Sequence, residues 1–412
     1  MIKRKRIVEP LRPDTLFDPC IKCTICVTAC PVAQVTAAFP GPKQAGPDAQ
    51  RFRGRGEPVE GSWITLCTGC HRCQTVCPAD VPIAEINLFA KQRYARKHGY
   101  GLATQLMTHA HLLSPWGARF RPIAMLMLRW KLARWFAEKL FGIDRRAPMP
   151  PFAKQRFSTF LKKHKSPAGK RKVAYFYGCF TDSNEPAAGH AILRVLEAAG
   201  VEVHIPPQQC CGAALVGAGH FDHARKQNEF NIASLKQALD EGCEAIVVGS
   251  PSCALALSHE SGDTLGIDGQ GVYEKVVDVF TYLRRLRDEG ELNLRFKETP
   301  VDAAFHEACH LTALGLGANA PGLLNEIPGV RVRVLDAGCC GLAGTYGMKA
   351  KTGDLARAIG VNVAARVAEW KPQVVLSECE GCRMQITHLT GVPTKHPAQV
   401  LAEALADSPP SK

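Results

Sequence analysis

"CCGLAGTYG" (339–347) repeats "CCGAALVG" (210–217) at an offset of 129 residues, and this pairing decides how the second half of the chain folds. The other cysteines keep the offset: Cys309 follows Cys179 by 130 residues, and Cys382 follows Cys253 by 129. Three apolar runs, "KVAYFYG" (172–178), "VEVHIP" (201–206) and "AIVVGS" (245–250), precede the cysteine positions of the first copy. "VDAAFHEAC" (301–309), "VRVRVLD" (330–336) and "QVVLSE" (373–378) do the same in the second. Short apolar runs bounded by turn residues read as buried strands, and the intervening "EPAAGHAILRVLEAAG" (185–200) and "HARKQNEFNIASLKQALDEG" (223–242) carry helical spacing. The first of these helices opens on Pro186 and closes on Gly200, a normal start and stop. Strands alternating with helices predict an α/β domain with a mainly parallel sheet, built twice.

Ligands of parallel α/β sheets collect outside the carboxyl ends of the strands, so each copy's cysteines should converge although they are far apart in sequence. The second copy offers Cys309, Cys339, Cys340, Cys379 and Cys382, more thiols than one zinc ion takes. The first offers Cys179, Cys210, Cys211 and Cys253, and has Ser250 where the counterpart of Cys379 would stand. The stretch "GSPSCAL" (249–255) is therefore the incomplete corner of a metal site rather than a nucleophile elbow, which needs G-x-S-x-G. Four thiols, with the Ser250 hydroxyl as a hard fifth donor, remain a candidate site. Cys243 lies outside the repeat and reads as a buried thiol. His306 and His310 flank Cys309 in "HEACH" (306–310); a mixed Cys/His zinc site is one reading, and hydrogen bonding that tunes a cluster is favoured.

Near the start, "CIKCTICVTACP" (20–31) and "CTGCHRCQTVCP" (67–78) are both C-x2-C-x2-C-x3-C-P. This is the bacterial ferredoxin run, in which three cysteines hold one 4Fe–4S cube and the fourth crosses to the other. By that rule Cys20, Cys23, Cys26 and Cys77 form the first cube's ligand set, and Cys67, Cys70, Cys73 and Cys30 the second's. Paired zinc knuckles fit the x2, x2, x3 spacing and its trailing proline poorly.

The chain has 412 residues, 18 cysteines and a formal charge of +13. No apolar run of signal-peptide length precedes Cys20, which points to a cytoplasmic chain whose cysteines are metal ligands rather than bridges. The charge invites a nucleic-acid reading, but cluster-bound thiolates cancel part of it, so no nucleic-acid partner is expected. Lys3 to Arg6 and the arginines between 119 and 146 suit an anionic lipid surface or a solvated face. "RPIAMLMLRWKLARWFAEKLF" (121–141) reads as a helix interrupted too often by charge to span a bilayer; it suits the membrane interface, or packing against a partner. No G-x-G-x-x-G follows a strand and no P-loop is present, so no dinucleotide site of its own is expected. The expected organisation is α-helical ferredoxin-like 1–100, helical linker 101–170, and α/β Cys-Cys-Gly domains at 171–298 and 299–412, an α+β and α/β multidomain chain.

A twin-cubane module joined to two Cys-Cys-Gly domains resembles the iron–sulfur subunits of flavin-linked respiratory dehydrogenases and of heterodisulfide reductase. Within that group "FPGPKQAGPDAQR" (39–51), "CCGLAGTYGMK" (339–349) and "HPAQVLAEAL" (396–405) resemble the family of iron–sulfur subunits of anaerobic glycerol-3-phosphate dehydrogenase. The resemblance implies an electron-transfer subunit without its own substrate site, peripheral on the cytoplasmic face of the inner membrane. Its implied partners are flavoprotein dehydrogenase subunits and membrane quinone, as menaquinone. The full five-cysteine set of the second copy matches relatives that bind a non-cubane 4Fe–4S cluster; the first copy departs from that pattern at Ser250. Alternatives of the same architecture are a glycolate or lactate oxidase iron–sulfur subunit and a catalytic subunit like that of heterodisulfide reductase.

Overall fold

Strands β1 (Arg171–Phe176), β2 (Val201–His204), β3 (Ala245–Val248) and β4 (Val276–Asp278) form one sheet in the order β2-β1-β3-β4. Strands β5 (Val301–His306), β6 (Val330–Leu335), β7 (Val374–Leu376) and β8 (Thr394–Lys395) form a second sheet in the order β6-β5-β7-β8. All pairings are parallel, in a computed structural model that describes residues 19–57, 59, 61–317 and 319–406. Val173 to Phe176 are all buried, as expected where helices cover both faces of a parallel sheet. The fourth strand of each sheet has no counterpart in the sequence reading: two or three residues are too short for a periodicity to register. Asp278 ends β4 and caps the next helix, Val279–Asp288, its carboxylate accepting from the amides of Phe280 and Thr281.

The two copies share one core. The helix Pro186–Ala198 packs on β2 of its own sheet and on the last helix, Pro397–Ala404, of the other copy. Arg383 Nη2 donates to Glu185 Oε2 at 2.6 Å, and His396 Nε2 lies 2.9 Å from Gly249 O. These ties bring the carboxyl ends of the two sheets side by side.

In the N-terminal module each cysteine run is a loop with a single short helix, Ile25–Thr28 or Arg72–Thr75. Thr24 and His71, each just after the second cysteine of its run, take φ of 65° and 59°. Left-handed backbone at non-glycine residues costs of order 1 kcal/mol and persists where the loop is functionally over-determined. The long helix Ile83–His98 connects this module to the rest: the buried Lys91 Nζ donates to Cys67 O and, at 2.7 Å, to Gly217 O of the first Cys-Cys-Gly half.

The linker differs from the sequence reading. Residues 121–141 are not one helix but two, Arg121–Arg129 and Lys131–Phe141, separated by Trp130 in extended conformation (ψ 113°). No proline or glycine marks the break, and Met127 and Leu128 before it line one cavity with Ala133 and Ala137 after it. Neither these helices nor the preceding Ala110–Arg119 buries a single side chain. Among the described residues no helix is long and apolar enough to cross a membrane. The basic run at Lys3 to Arg6 lies outside the described residues.

The linker ends on an anchor. Asp144 is buried, its amide donates to Met348 O, and its carboxylate receives Arg357 Nη2 at 2.8 Å. Burial pushes this carboxyl up, but hydrogen bonds from the Arg146 amide and the Arg357 and Arg146 guanidiniums outweigh it and hold the group below its usual range. A depressed carboxyl contributes stability above its unfolded pKa of about 3.9 and loses it as pH falls through the folded value. Asp144→Asn is expected to loosen this anchor by about 2 kcal/mol at pH 7. Hydrogen exchange at the Asp144 and Ala350 amides checks it: they should exchange about 30-fold faster than in the parent at pH 7. That excess should shrink below pH about 4.

Candidate metal centres

The sulfurs of the N-terminal module sort into two groups. Cys20, Cys23, Cys26 and Cys77 line one small cavity, and Cys30, Cys67, Cys70 and Cys73 line another. Each group takes three cysteines from one run and the fourth from the other. The first lies near the surface, with Cys23 exposed; in the second, Cys30 and Cys73 are buried. Desolvation pushes the Cys26 and Cys30 thiols up to about 11, as expected for sulfurs placed where water cannot stabilise a bare thiolate.

In each Cys-Cys-Gly half the thiols form a string at the carboxyl ends of the first three strands of the sheet. Cys179 follows β1, Cys210 and Cys211 follow β2, and Cys253 follows β3; Cys309, Cys339, Cys340, Cys379 and Cys382 follow β5, β6 and β7 in the same way. Strand order 2-1-3-4 reverses direction between the first and third strands, and there the ends of the sheet open a crevice. In the first copy Cys179 Sγ donates to Cys210 Sγ at 3.4 Å, and side-chain hydrogen bonds continue through Cys211 to Cys253. In the second the string runs Cys309, Cys339, Cys340, Cys382, Cys379. Hydrogen bonds from the flanking thiols, Cys179 and Cys211 or Cys309 and Cys340, hold Cys210 and Cys339 well below the usual thiol range.

The glycine of the motif has a steric reason. Gly341 has φ +90°, and a Cβ there would lie 2.0 Å from Ala356 O. Its amide, left free to point inward, donates to Cys339 Sγ at 3.3 Å.

Ser250 occupies the corner equivalent to Cys379. It hydrogen-bonds Cys253, and its hydroxyl donates to Glu380 Oε2 at 2.8 Å. The first copy's missing thiol is therefore replaced by a contact to the carboxylate of the second copy's "CEGC". The two histidines of "HEACH" separate. His306 is buried with Nε2 unpartnered, its ring nitrogen within 4.8 Å of both Cys340 and Cys382 Sγ, and burial lowers its pKa to about 4. His310 turns away and places Nδ1 3.0 Å from Ser252 Oγ of the first copy. Cys243 is buried among Leu235, Ala238 and Ile246, outside both strings.

Five thiols and one neutral imidazole exceed the four donors of a tetrahedral zinc ion, so the second copy's donor set fits a polynuclear iron–sulfur cluster. A cavity of about 160 Å³ is lined by Cys67 and Cys70 of the N-terminal module together with all five cysteines of the second copy. Lys91, Lys349 and Tyr346 also line it. Burial, and then the neighbouring Lys91, lowers Lys349 to about 8. The buried Lys91 and the half-buried Lys349 place positive charge beside these thiols. These lysines, Glu380 and Tyr346 are absent from the sequence reading, because no spacing rule links them to the cysteines; only the packing of three chain segments does.

A 4Fe–4S dicluster domain model matches residues 17–81, and a cysteine-rich domain model matches residues 173–258 and 303–387. A subunit of anaerobic glycerol-3-phosphate dehydrogenase from Escherichia coli (strain K12) is 35% identical over 399 residues, covering 95% of this chain and 100% of that protein. The glycolate oxidase iron-sulfur subunit of the same strain is 26% identical, covering 96% of each chain. A subunit of fumarate reductase (CoM/CoB) from Methanothermobacter marburgensis is 24% identical, covering 92% of this chain and 71% of that one. The donor sets, the duplicated domain and this end-to-end similarity agree: the chain belongs to the family of iron–sulfur subunits of anaerobic glycerol-3-phosphate dehydrogenase.

Proposed function

We propose that this chain is the electron-transfer iron–sulfur subunit of a glycerol-3-phosphate dehydrogenase, relaying electrons from flavoprotein subunits to menaquinone at the cytoplasmic face of the inner membrane. The observation that supports this best is the common cavity. Cys70 and Cys309, 239 residues apart in sequence, border one cavity, so the donor sets of the two domains adjoin. Cys20, Cys23, Cys26 and Cys77 would hold one cube and Cys30, Cys67, Cys70 and Cys73 the other. Cys309, Cys339, Cys340, Cys379 and Cys382 would hold a further cluster, with His306 beside it. Clusters in these positions supply one-electron carriage. The protein would set the charge around them with Lys91 and Lys349.

The helical linker supports peripheral membrane attachment. Trp116, Phe120, Ile123, Leu126, Trp130 and Leu140 are each more than half exposed, and Arg119, Arg121, Arg129, Lys131, Arg134 and Lys139 run among them. Glu138 is the sole acid between residues 101 and 143, and it is engaged by Arg145. Aromatic and aliphatic groups interleaved with cations fit an anionic bilayer surface.

The test is anaerobic reconstitution with the neighbouring flavoprotein subunits. Glycerol 3-phosphate should bleach the iron–sulfur absorbance of this chain and yield menaquinol, whereas the flavoprotein alone should reduce a dye but not menaquinone. Bleaching by glycolate or lactate with a hydroxyacid-oxidase partner, and none by glycerol 3-phosphate, would overturn the assignment.

A further inference from the structure

Four histidines gather where the linker meets the first Cys-Cys-Gly half, none of them part of a cysteine string. His109 and His111 come from "THAH" (108–111), at the junction of the helices Leu102–Thr108 and Ala110–Arg119. His220 and His223 come from "HFDH" (220–223), at the start of the helix Phe221–Asp240. His109 Nε2 lies 3.2 Å from His223 Nδ1. Two nitrogens bound to one tetrahedral zinc at about 2.0–2.1 Å are about 3.3 Å apart, so this pair already stands at chelating distance.

The surroundings of His109 match those of a metal ligand. Its Nδ1 lies 2.8 Å from Gln105 O and 3.3 Å from Thr108 Oγ1. Donation from Nδ1–H to the carbonyl fixes the tautomer that leaves the Nε2 lone pair facing His223, the usual way a ligating imidazole is oriented. His220 supplies the second, independent observation. It is buried, with only 6% of its surface exposed, and its Nε2 has no hydrogen-bond partner. Its ring centroid is 5.7 Å from that of His109 and 6.2 Å from that of His223, and Tyr100 stacks on it while donating to Gly219 O. His111 is engaged by Gln227 at 2.7 Å, and Asp222 is paired with Arg96, so neither is needed as a ligand.

We propose that His109, His220 and His223 form a binding site for a divalent transition ion of the zinc class, which cross-links the helical linker to the first Cys-Cys-Gly half. His109 and His223 supply two nitrogens at chelating distance, and a ring rotation of His220 would bring in the third; water takes the fourth position, as in other three-imidazole sites. The site joins segments 111 residues apart, His109 and His220, and fixes the arm that carries the exposed apolar surface to the cluster-bearing body.

The test uses the full chain, purified anaerobically with its clusters in place, and zinc chloride as the probe. Calorimetric titration should show one site, and zinc K-edge absorption should show a shell of nitrogen and oxygen at about 2.0–2.1 Å. His109→Gln and His223→Gln should each weaken binding at least 10-fold while iron content and the visible spectrum stay unchanged. His223 is exposed, so its substitution leaves the fold intact and keeps the test decisive. A sulfur shell at about 2.3 Å, parent-like affinity in both variants, or no zinc uptake at tens of micromolar would each overturn the proposal, the last reducing the 3.2 Å contact to an N–H···N hydrogen bond.

Discussion

Cys382→Ser is expected to remove about four irons per chain and, on the proposed relay role, to abolish quinone reduction by the reconstituted complex, while substrate still reduces the flavin. Cys382 is buried, hydrogen-bonded to both Cys340 and Cys379, and close to His306, so it sits in the middle of the donor set rather than at its edge. A serine oxygen is harder than a thiolate and leaves a soft iron site short of a ligand. Cys253→Ser is the informative comparison, because Cys253 is the structural counterpart in the first copy. There the fifth corner is Ser250 bonded to Glu380, and the expected result is an unchanged iron count. Iron and sulfide analysis with EPR on both variants decides. Equal losses would show that four thiols are enough, and an intact count in Cys382→Ser would sink the assignment of the second copy.

The second large effect concerns the linker. Replacing Trp116, Leu126 and Trp130 together by serine should lower partitioning onto vesicles of anionic phospholipid by more than 100-fold, with the clusters unaffected. Each of these side chains is 53–66% exposed, and none supports the core. Burying such a group in the interface gains roughly 1.5–3 kcal/mol, so losing three exceeds the 2.7 kcal/mol or so that 100-fold requires. Replacing Arg119, Arg121, Arg129 and Lys131 by glutamine should cost about 1 kcal/mol each on anionic vesicles and little on neutral ones. Salt at 1 M, with a screening length of about 3 Å, should imitate the charge variant but not the apolar one. Sedimentation with vesicles reads all three. Undiminished binding of the serine variant would mean that this face meets a protein partner instead.

Much of the architecture is legible along the chain because short-range chemistry writes it there. The x2, x2, x3 spacing follows from how a tight loop wraps one corner of a cube, and continuous apolar runs follow from a sheet covered on both faces. The 129-residue repeat of Cys-Cys-Gly carries the second half, and Gly341 shows why the motif needs its glycine: any Cβ would meet Ala356 O. The linker was legible only in composition. Its charge pattern is clear, but the break at Trp130 has no proline, glycine or cap to announce it.

By itself, then, the sequence determined which atoms are available as ligands, the period at which they recur, and the strand and helix segments that carry them, since each is read from residue types and their order along the chain. The tertiary structure alone decided which sets adjoin. Cys70 shares a cavity with Cys309, Lys91 of the N-terminal unit reaches Gly217 of the first Cys-Cys-Gly half, Glu380 answers Ser250 from the opposite copy, and His109 meets His223. These pairs lie 114 to 239 residues apart. Their proximity arises from how two sheets, a helical linker and a cysteine-loop module bury their apolar faces against one another, and no local pattern encodes that.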